Sequence, residues 1–358
     1  MYQPPNTNRG VENTKESTSM PVKTNATDNL IATFDWIEFT VQDIDFDSLF
    51  SDVLHLFKSD FTELNKGRFG YNAQLKWANG NVFVLYNADD EGPIPVDRMG
   101  FHVMITGTGC RCYETTNSIH ELLIMLVALG DKSKFSRIDL AIDDKEDRII
   151  NFSRIHKAAL NSEFTSRWNK WDELNSRECA SGSYLGRTMY FGSQSSEIFC
   201  RIYDKTLERQ ANAKEDKTIP DCWTRMELVY KKERAKLLAL YLVENNDVGR
   251  VLRESLNNYI RFVKQPLKSH DTNKSRWPSA KWWVVLLGEV GVLKLTIKRQ
   301  ERTIDDMEHW LDTQIAPTIA AIMTAKDGES DWLHKIISDG AARLKQKHKD
   351  AIQQYKQN

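Results

Sequence analysis

Apolar and polar positions alternate along FDWIEFTV. Ile37, Phe39 and Val41 point one way and Trp36, Glu38 and Thr40 the other, which is the period of a half-buried strand. YNAQLKWANGNVFVLYN reads as a hairpin turning at Asn79-Gly80, a pair that accepts the backbone of a tight turn. GFHVMITG, SRIDLAIDD, RTMYFGS, EIFCRIYDKTLE and WTRMELVYKK are further strand-like runs. NSIHELLIMLVALGD has helical steps and a glycine near its end, and residues 149–176 read as mainly helical. After Tyr230 the period changes. KKERAKLLALYLVEN and DVGRVLRESLNNYIRFVK repeat apolar residues at three- and four-residue steps, and helical spacing resumes beyond a polar break at 265–280. The pattern predicts an α+β fold: a central, largely antiparallel sheet flanked by helices over 29–232, then a helical region over 233–358. Residues 1–28 have few apolar anchors and read as a disordered tail. No repeat is visible in the residue pattern.

Composition changes this picture little. The 358 residues are 41% hydrophobic and 28% charged, with a net charge of −1. No stretch of about twenty apolar residues exists, so no membrane span is expected. Five cysteines form no even framework, which fits reduced thiols and a cytoplasmic location. Charge matters locally. Residues 231–276 hold eleven Lys or Arg against five Asp or Glu, and the break carries Lys264, Lys268, Lys274 and Arg276 beside Trp277. Such a surplus attracts phosphate backbones, although a solvated helical surface gives the same count.

Candidate chemistry comes from three strands. In EIFCRIYDK alternation places Phe199, Arg201, Tyr203 and Lys205 on one face, so a tyrosine sits between two cations. Neighbouring positive charge favours a phenolate and draws in a phosphate. A packed strand tyrosine with a hydrogen-bonded hydroxyl is the alternative. In RIDLAIDD, Arg137, Asp139, Ala141 and Asp143 share a face opposite Ile138, Leu140 and Ile142. In WTRMELVYK, Trp223, Arg225, Glu227 and Val229 do the same. Carboxylates aimed from neighbouring strands make a hard-oxygen site for Mg²⁺ or Mn²⁺, and arginines anchor phosphate. Cross-strand salt bridges on a solvated face would look alike. No His-x-His pair, His-Glu-x-x-His helix, paired Cys-x-x-Cys or Walker-type glycine loop is present. The glycines of TGTGC read as a tight turn.

The order RIDLAIDD, YFGSQSSEIFCRIYDKTLE, WTRMELVYKK and, late in the chain, WLDTQIAPTI resembles the replication initiation factor family. The resemblance runs from about Trp36 to about Ala325 and is weakest between Glu146 and Glu178. Its most specific part is the run from Arg201 to Glu208. The family contains rolling-circle replication initiators and the nicking relaxases of conjugative elements. It implies Tyr203 as nucleophile and a divalent metal held by acids, here Asp139 and Glu227, with Asp143 as a third ligand chosen by alternation. Arg201 and Lys205 would contact the scissile phosphate, and Arg137 and Arg225 the DNA nearby. The implied reaction is transesterification to a 5′-phosphotyrosyl enzyme with release of a 3′-hydroxyl. Origin DNA is the implied partner, single-stranded at the nick and duplex beside it. A host helicase commonly assists, and some members are homodimers. A conjugative relaxase at a transfer origin, or an origin-binding regulator without nicking, are the rival readings.

Overall fold

A computed structural model describes residues 30–64, 66–89, 92–93, 98–212, 219–266, 271–288, 304–344 and 346–357. The expected tail at 1–28 and Lys268 lie outside the described residues. The chain divides into two compact units, 1–295 and 296–358.

The first unit is built on a ten-stranded sheet in which every neighbouring pair is antiparallel. Its strands in chain order are β1 (Leu30–Val41), β2 (Phe61–Leu64), β3 (Ala73–Trp77), β4 (Val82–Tyr86), β5 (Phe101–Thr106), β6 (Ser133–Asp144), β7 (Trp171–Arg177), β8 (Tyr184–Phe191), β9 (Ile198–Asp204) and β10 (Thr224–Lys231). The spatial order is β7-β8-β9-β10-β6-β1-β5-β4-β3-β2. Two five-stranded halves therefore share one plan. In each, the first strand lies at the centre and the next four run in from the edge to meet it. The halves join where β1 pairs with β6. This repeat of topology leaves no trace in the residue pattern.

One sheet face is apolar because alternate residues on adjacent strands are apolar. Ile37 and Phe39, Ile138 and Leu140, Met226 and Leu228, and Cys200 and Ile202 all enter one core. The helices of this unit are α1 (Gly107–Tyr113), α2 (Ile119–Ala128), α3 (Phe152–Leu160), α4 (Lys205–Asn212), α5 (Glu233–Glu244), α6 (Val248–Tyr259) and α7 (Lys281–Leu287). In α2, Ile119, Leu122, Leu123 and Leu126 follow a helical stripe and are buried, and Ser118 caps its first turn. Helix α5 packs on β6, β10 and α2, and α6 packs on β1 and β6. Residues 233–287, expected in a separate helical region, thus belong to the unit that holds the sheet. Residues 149–176, expected to be mainly helical, are helical only over α3; beyond it Phe164–Ser166 pairs with Ile260–Phe262 and β7 forms the sheet edge. The second unit holds α8 (Ile304–Trp310), α9 (Ala316–Ala325), α10 (Asp331–Ala341) and α11 (Gln346–Gln357), with a proline in the first turn of α9. No helix among the described residues is long and apolar enough to cross a membrane.

Candidate active site

The opposite face of the sheet collects the charged positions of β9, β10, β6 and β1. Register brings Arg201 opposite Glu227, Tyr203 opposite Arg225, and Arg225 opposite Asp143. Strict alternation places Asp35 with the core residue Ile37. A bulge in the pairing of β1 with β6, between Phe34 and Trp36, turns Asp35 to the polar face instead. Asp35, Asp139 and Glu227 then stand on three adjacent strands in the middle of the sheet, and Asp139 and Glu227 have no exposed surface.

These carboxylates are held by arginines. Arg137 donates two hydrogen bonds to Asp139, at 2.8 and 2.6 Å. Arg225 forks onto Asp143 through two bonds of 2.6 Å and donates a third to Asp35 at 2.5 Å. Arg111 reaches Asp35 at 3.0 Å. The guanidinium of Arg201 bonds Glu227 and lies 4.0 Å from Asp35 and 3.9 Å from Asp139. Arg201 thus touches all three carboxylates. The approach of Asp35 to Arg111 explains Gly107, since a Cβ there would stand 2.4 Å from Asp35 Oδ1 and 2.5 Å from Arg111 Nη2. The TGTGC segment opens α1 instead of forming an isolated turn.

Tyr203 is buried, and its hydroxyl donates to Glu227 Oε1 at 2.5 Å. Lys205, the first residue of α4, still reaches the hydroxyl at 3.4 Å and also bonds Glu208. The electrostatics run against a resting phenolate. Burial, then the charge of Glu227, pushes the hydroxyl well above its ordinary range despite Arg225 and Arg201. Burial also pushes Glu227 up to about 8, with Arg201 pulling it down and Asp35 and Asp139 pushing it further up. Burial raises Asp139 too, against Arg137 and Arg201. Burial opposes ionisation of Asp35, but Arg225, a hydrogen bond shared with Glu227, and Arg111 hold it below its usual range.

Two sequence expectations change. Asp143 bonds Arg225 through both oxygens and accepts from the Trp223 indole at 2.7 Å, so in this arrangement it props Arg225. Arg225 is 2% exposed and holds carboxylates from beneath, with no path to a phosphate. Trp277 is buried, while Lys264 and Arg276 form exposed bridges to Glu163 and Asp271. Asp35, Arg111 and Arg187 are residues that sequence reasoning passed over. Asp35 and Arg111 line a cleft of about 460 Å³ with Trp36, Arg201, Tyr203 and Lys205, whereas the Arg187 guanidinium lies on the other sheet face, 4.5 Å over the ring of buried Phe152. Among the described residues no three acidic, His or Cys groups converge on an open point, because Arg201 stands among the trio.

Known proteins share this plan. Residues 133–337 match the model of a family described as replication initiation factor, and residues 31–123 match that of the rolling circle replication initiation protein N-terminal domain. The two matches fall on the two halves of the sheet, the first continuing into the C-terminal helices. A Bacillus subtilis (strain 168) protein named as DNA relaxase NicK is 30% identical over 365 residues, covering 99% of this chain and 97% of its own. The solved structure of a rolling circle replication initiator protein from Geobacillus stearothermophilus superposes with a TM-score of 0.62 at 28% identity. It covers 75% of this chain and 98% of that one.

Proposed function

This chain belongs to the replication initiation factor family, and from that membership and its site we propose that it nicks and rejoins one strand of origin DNA through Tyr203, initiating rolling-circle replication. The observation that carries the reading is the short hydrogen bond from the Tyr203 hydroxyl to Glu227, at the floor of a cleft edged by Arg201 and Lys205. A buried phenol is a poor nucleophile until a base takes its proton, and Glu227 is placed to take it as the oxygen attacks phosphorus. The new bond joins Tyr203 to the 5′-phosphate and the 3′-hydroxyl leaves. Arg201 and Lys205 face the negative charge that builds on the phosphoryl oxygens. Rejoining reverses these steps, and the phosphodiester's energy stays in the covalent link.

The donor atoms suit a divalent cation, and one could enter only with the Arg201 guanidinium moved aside. Three buried carboxylates repel one another, and their oxygens are the hard ligands that Mg²⁺ or Mn²⁺ takes. Asp35, Asp139 and Glu227 would hold it, with Asp35 in the place that alternation gave to Asp143. When bound, such an ion polarises a phosphodiester oxygen. In this reading a host helicase opens the duplex from the nick, and light scattering tells whether the working unit is a homodimer.

A relaxase acting at a transfer origin is the second reading, favoured by the full-length likeness to the B. subtilis protein. Its chemistry is identical, and the two separate by which sequence of the parent element is cut. Supercoiled DNA carrying that element's origin should relax to open circles with the wild-type protein. With Tyr203→Phe it should stay supercoiled, while origin binding holds within a few-fold. Relaxation by Tyr203→Phe at the wild-type rate would end the proposal.

A further inference from the structure

The first half of the sheet, whose strands give the site Asp35 alone among its charged groups, repeats the plan of the second half, and its polar face is continuous with the active site. One cross-strand row runs Lys76, Phe83, Met104, Glu38, Arg137, Lys231 over β3, β4, β5, β1, β6 and β10. Where the catalytic half presents acids and Tyr203, the first half presents rings with cations laid on them. The Arg68 guanidinium sits 4.5 Å from the centre of the Phe83 ring, with Lys76 Nζ at 6.0 Å. Arg137 lies 4.6 Å over Trp36, a residue that lines the cleft and also packs against the cluster of Tyr71, Leu85 and Met104. Phe69 stands 67% exposed at the edge of His102. The one acid in the row, Glu38, accepts from the Trp36 indole and is bonded to His102. Over residues 61–86, three cations (Lys66, Arg68, Lys76) face one acid, Glu63.

Rings bind bases without regard to sequence, and cations beside them follow the phosphates. We propose that this second face is a platform for single-stranded DNA flanking the scissile phosphate on one side, with Phe69, Phe83 and Trp36 as stacking surfaces and Arg68 and Lys76 as phosphate contacts. Five strand spacings of about 4.8 Å separate β3 from β10, a run of about 24 Å. At a rise of about 3.4 Å per stacked nucleotide that is about seven nucleotides. The proposal rests on the nicking reading. It adds where the strand goes once it leaves the cleft, and it assigns β3, β4 and β5, which carry none of the site's charged groups, a task of their own.

The test uses the full chain and two fluorescent single-stranded oligonucleotides, one ending at the nick from the 5′ side and the other from the 3′ side. Anisotropy titrations over a range of salt compare wild type with Phe69→Ala, Phe83→Leu, Arg68→Ala and Lys76→Ala. Each variant's melting temperature is checked, and the exposed Phe69 keeps the test open if Phe83→Leu unfolds. One oligonucleotide should lose about fivefold or more in affinity with each aromatic change. For the same oligonucleotide, each lost cation should flatten the salt slope by about 0.7. The other should bind as before. Unchanged affinity for both, or equal loss for both, overturns the platform and leaves Tyr203 nicking standing. A wild-type protein that binds neither overturns both.

Discussion

Replacing Glu227 with glutamine removes one buried charge and keeps the side chain's size. Folding raises this carboxyl from 4.5 to about 8, so the native chain holds its proton more tightly than the unfolded chain. Stability contributed by the group is therefore full below pH 4.5 and is lost as pH rises through about 8. Each tenfold gain in proton affinity is worth about 1.4 kcal/mol, so the loss is at most about 5 kcal/mol. For a chain of this size about 2 °C accompanies each kcal/mol, or up to about 10 °C in all. Asp35, held low, acts below its ordinary 3.8 and leaves this window untouched. Glutamine also deprives Arg201 of a charged partner once Glu227 would ionise, an effect already contained in the Glu227 pKa, which Arg201 lowers. The check is the pair of melting curves between pH 5 and 9. The difference in Tm, variant minus wild type, should climb with pH whatever its sign at pH 5. Nicking should move the other way: the wild-type rate rises through about pH 8 as Glu227 becomes able to take the proton of Tyr203, and the variant falls by about 10²–10⁴. Parallel melting profiles from pH 5 to 9 would refute the buried-charge reasoning.

Asp143→Asn should lower stability by about 3 kcal/mol in chemical denaturation, since it strips the charge that pairs with buried Arg225; a loss under 0.5 kcal/mol would count against that pairing. Gly107→Ala should lower nicking at least tenfold, because its Cβ displaces Asp35 or Arg111, and a wild-type rate would mean that their contact is dispensable. Chelator should abolish nicking, Mg²⁺ or Mn²⁺ should restore it, and Asp139→Asn should raise the metal concentration needed, measured by titration; an unchanged requirement would remove Asp139 from the ligand set.

The catalytic half was legible in the sequence because charged and apolar residues alternate along β6, β9 and β10. In such strands a period of two sorts Arg137, Asp139 and Asp143, Arg201 and Tyr203, and Arg225 and Glu227 onto one face, where they lie. Asp35 was hidden by the bulge, which shifts the period by one at the position that matters. Strand β7 was hidden for a different reason. It is an exposed edge, polar on both sides, and its mixed charges imitate a solvated helix. Alternation gives the face of a residue but not its partners, so it could not tell that Asp143 is tied to Arg225 and Trp223. The doubled strand order is written in connectivity alone. The two halves fill equivalent positions with different chemistry.

The central claim is that Tyr203 becomes covalently joined to DNA, and trypsin makes it separable from its neighbours. Cleavage after Arg201 and Lys205 leaves Tyr203 in the four-residue peptide 202–205, whereas Tyr184 falls in 178–187 and Tyr190 in 188–201. The protein is incubated with a suicide oligonucleotide spanning the nick site, the adduct is digested with nuclease and trypsin, and the nucleotide-bearing peptide is identified by mass spectrometry. The added phosphate should reside on peptide 202–205 and be absent from Tyr203→Phe. Phosphate found on 178–187 or 188–201 would contradict the account.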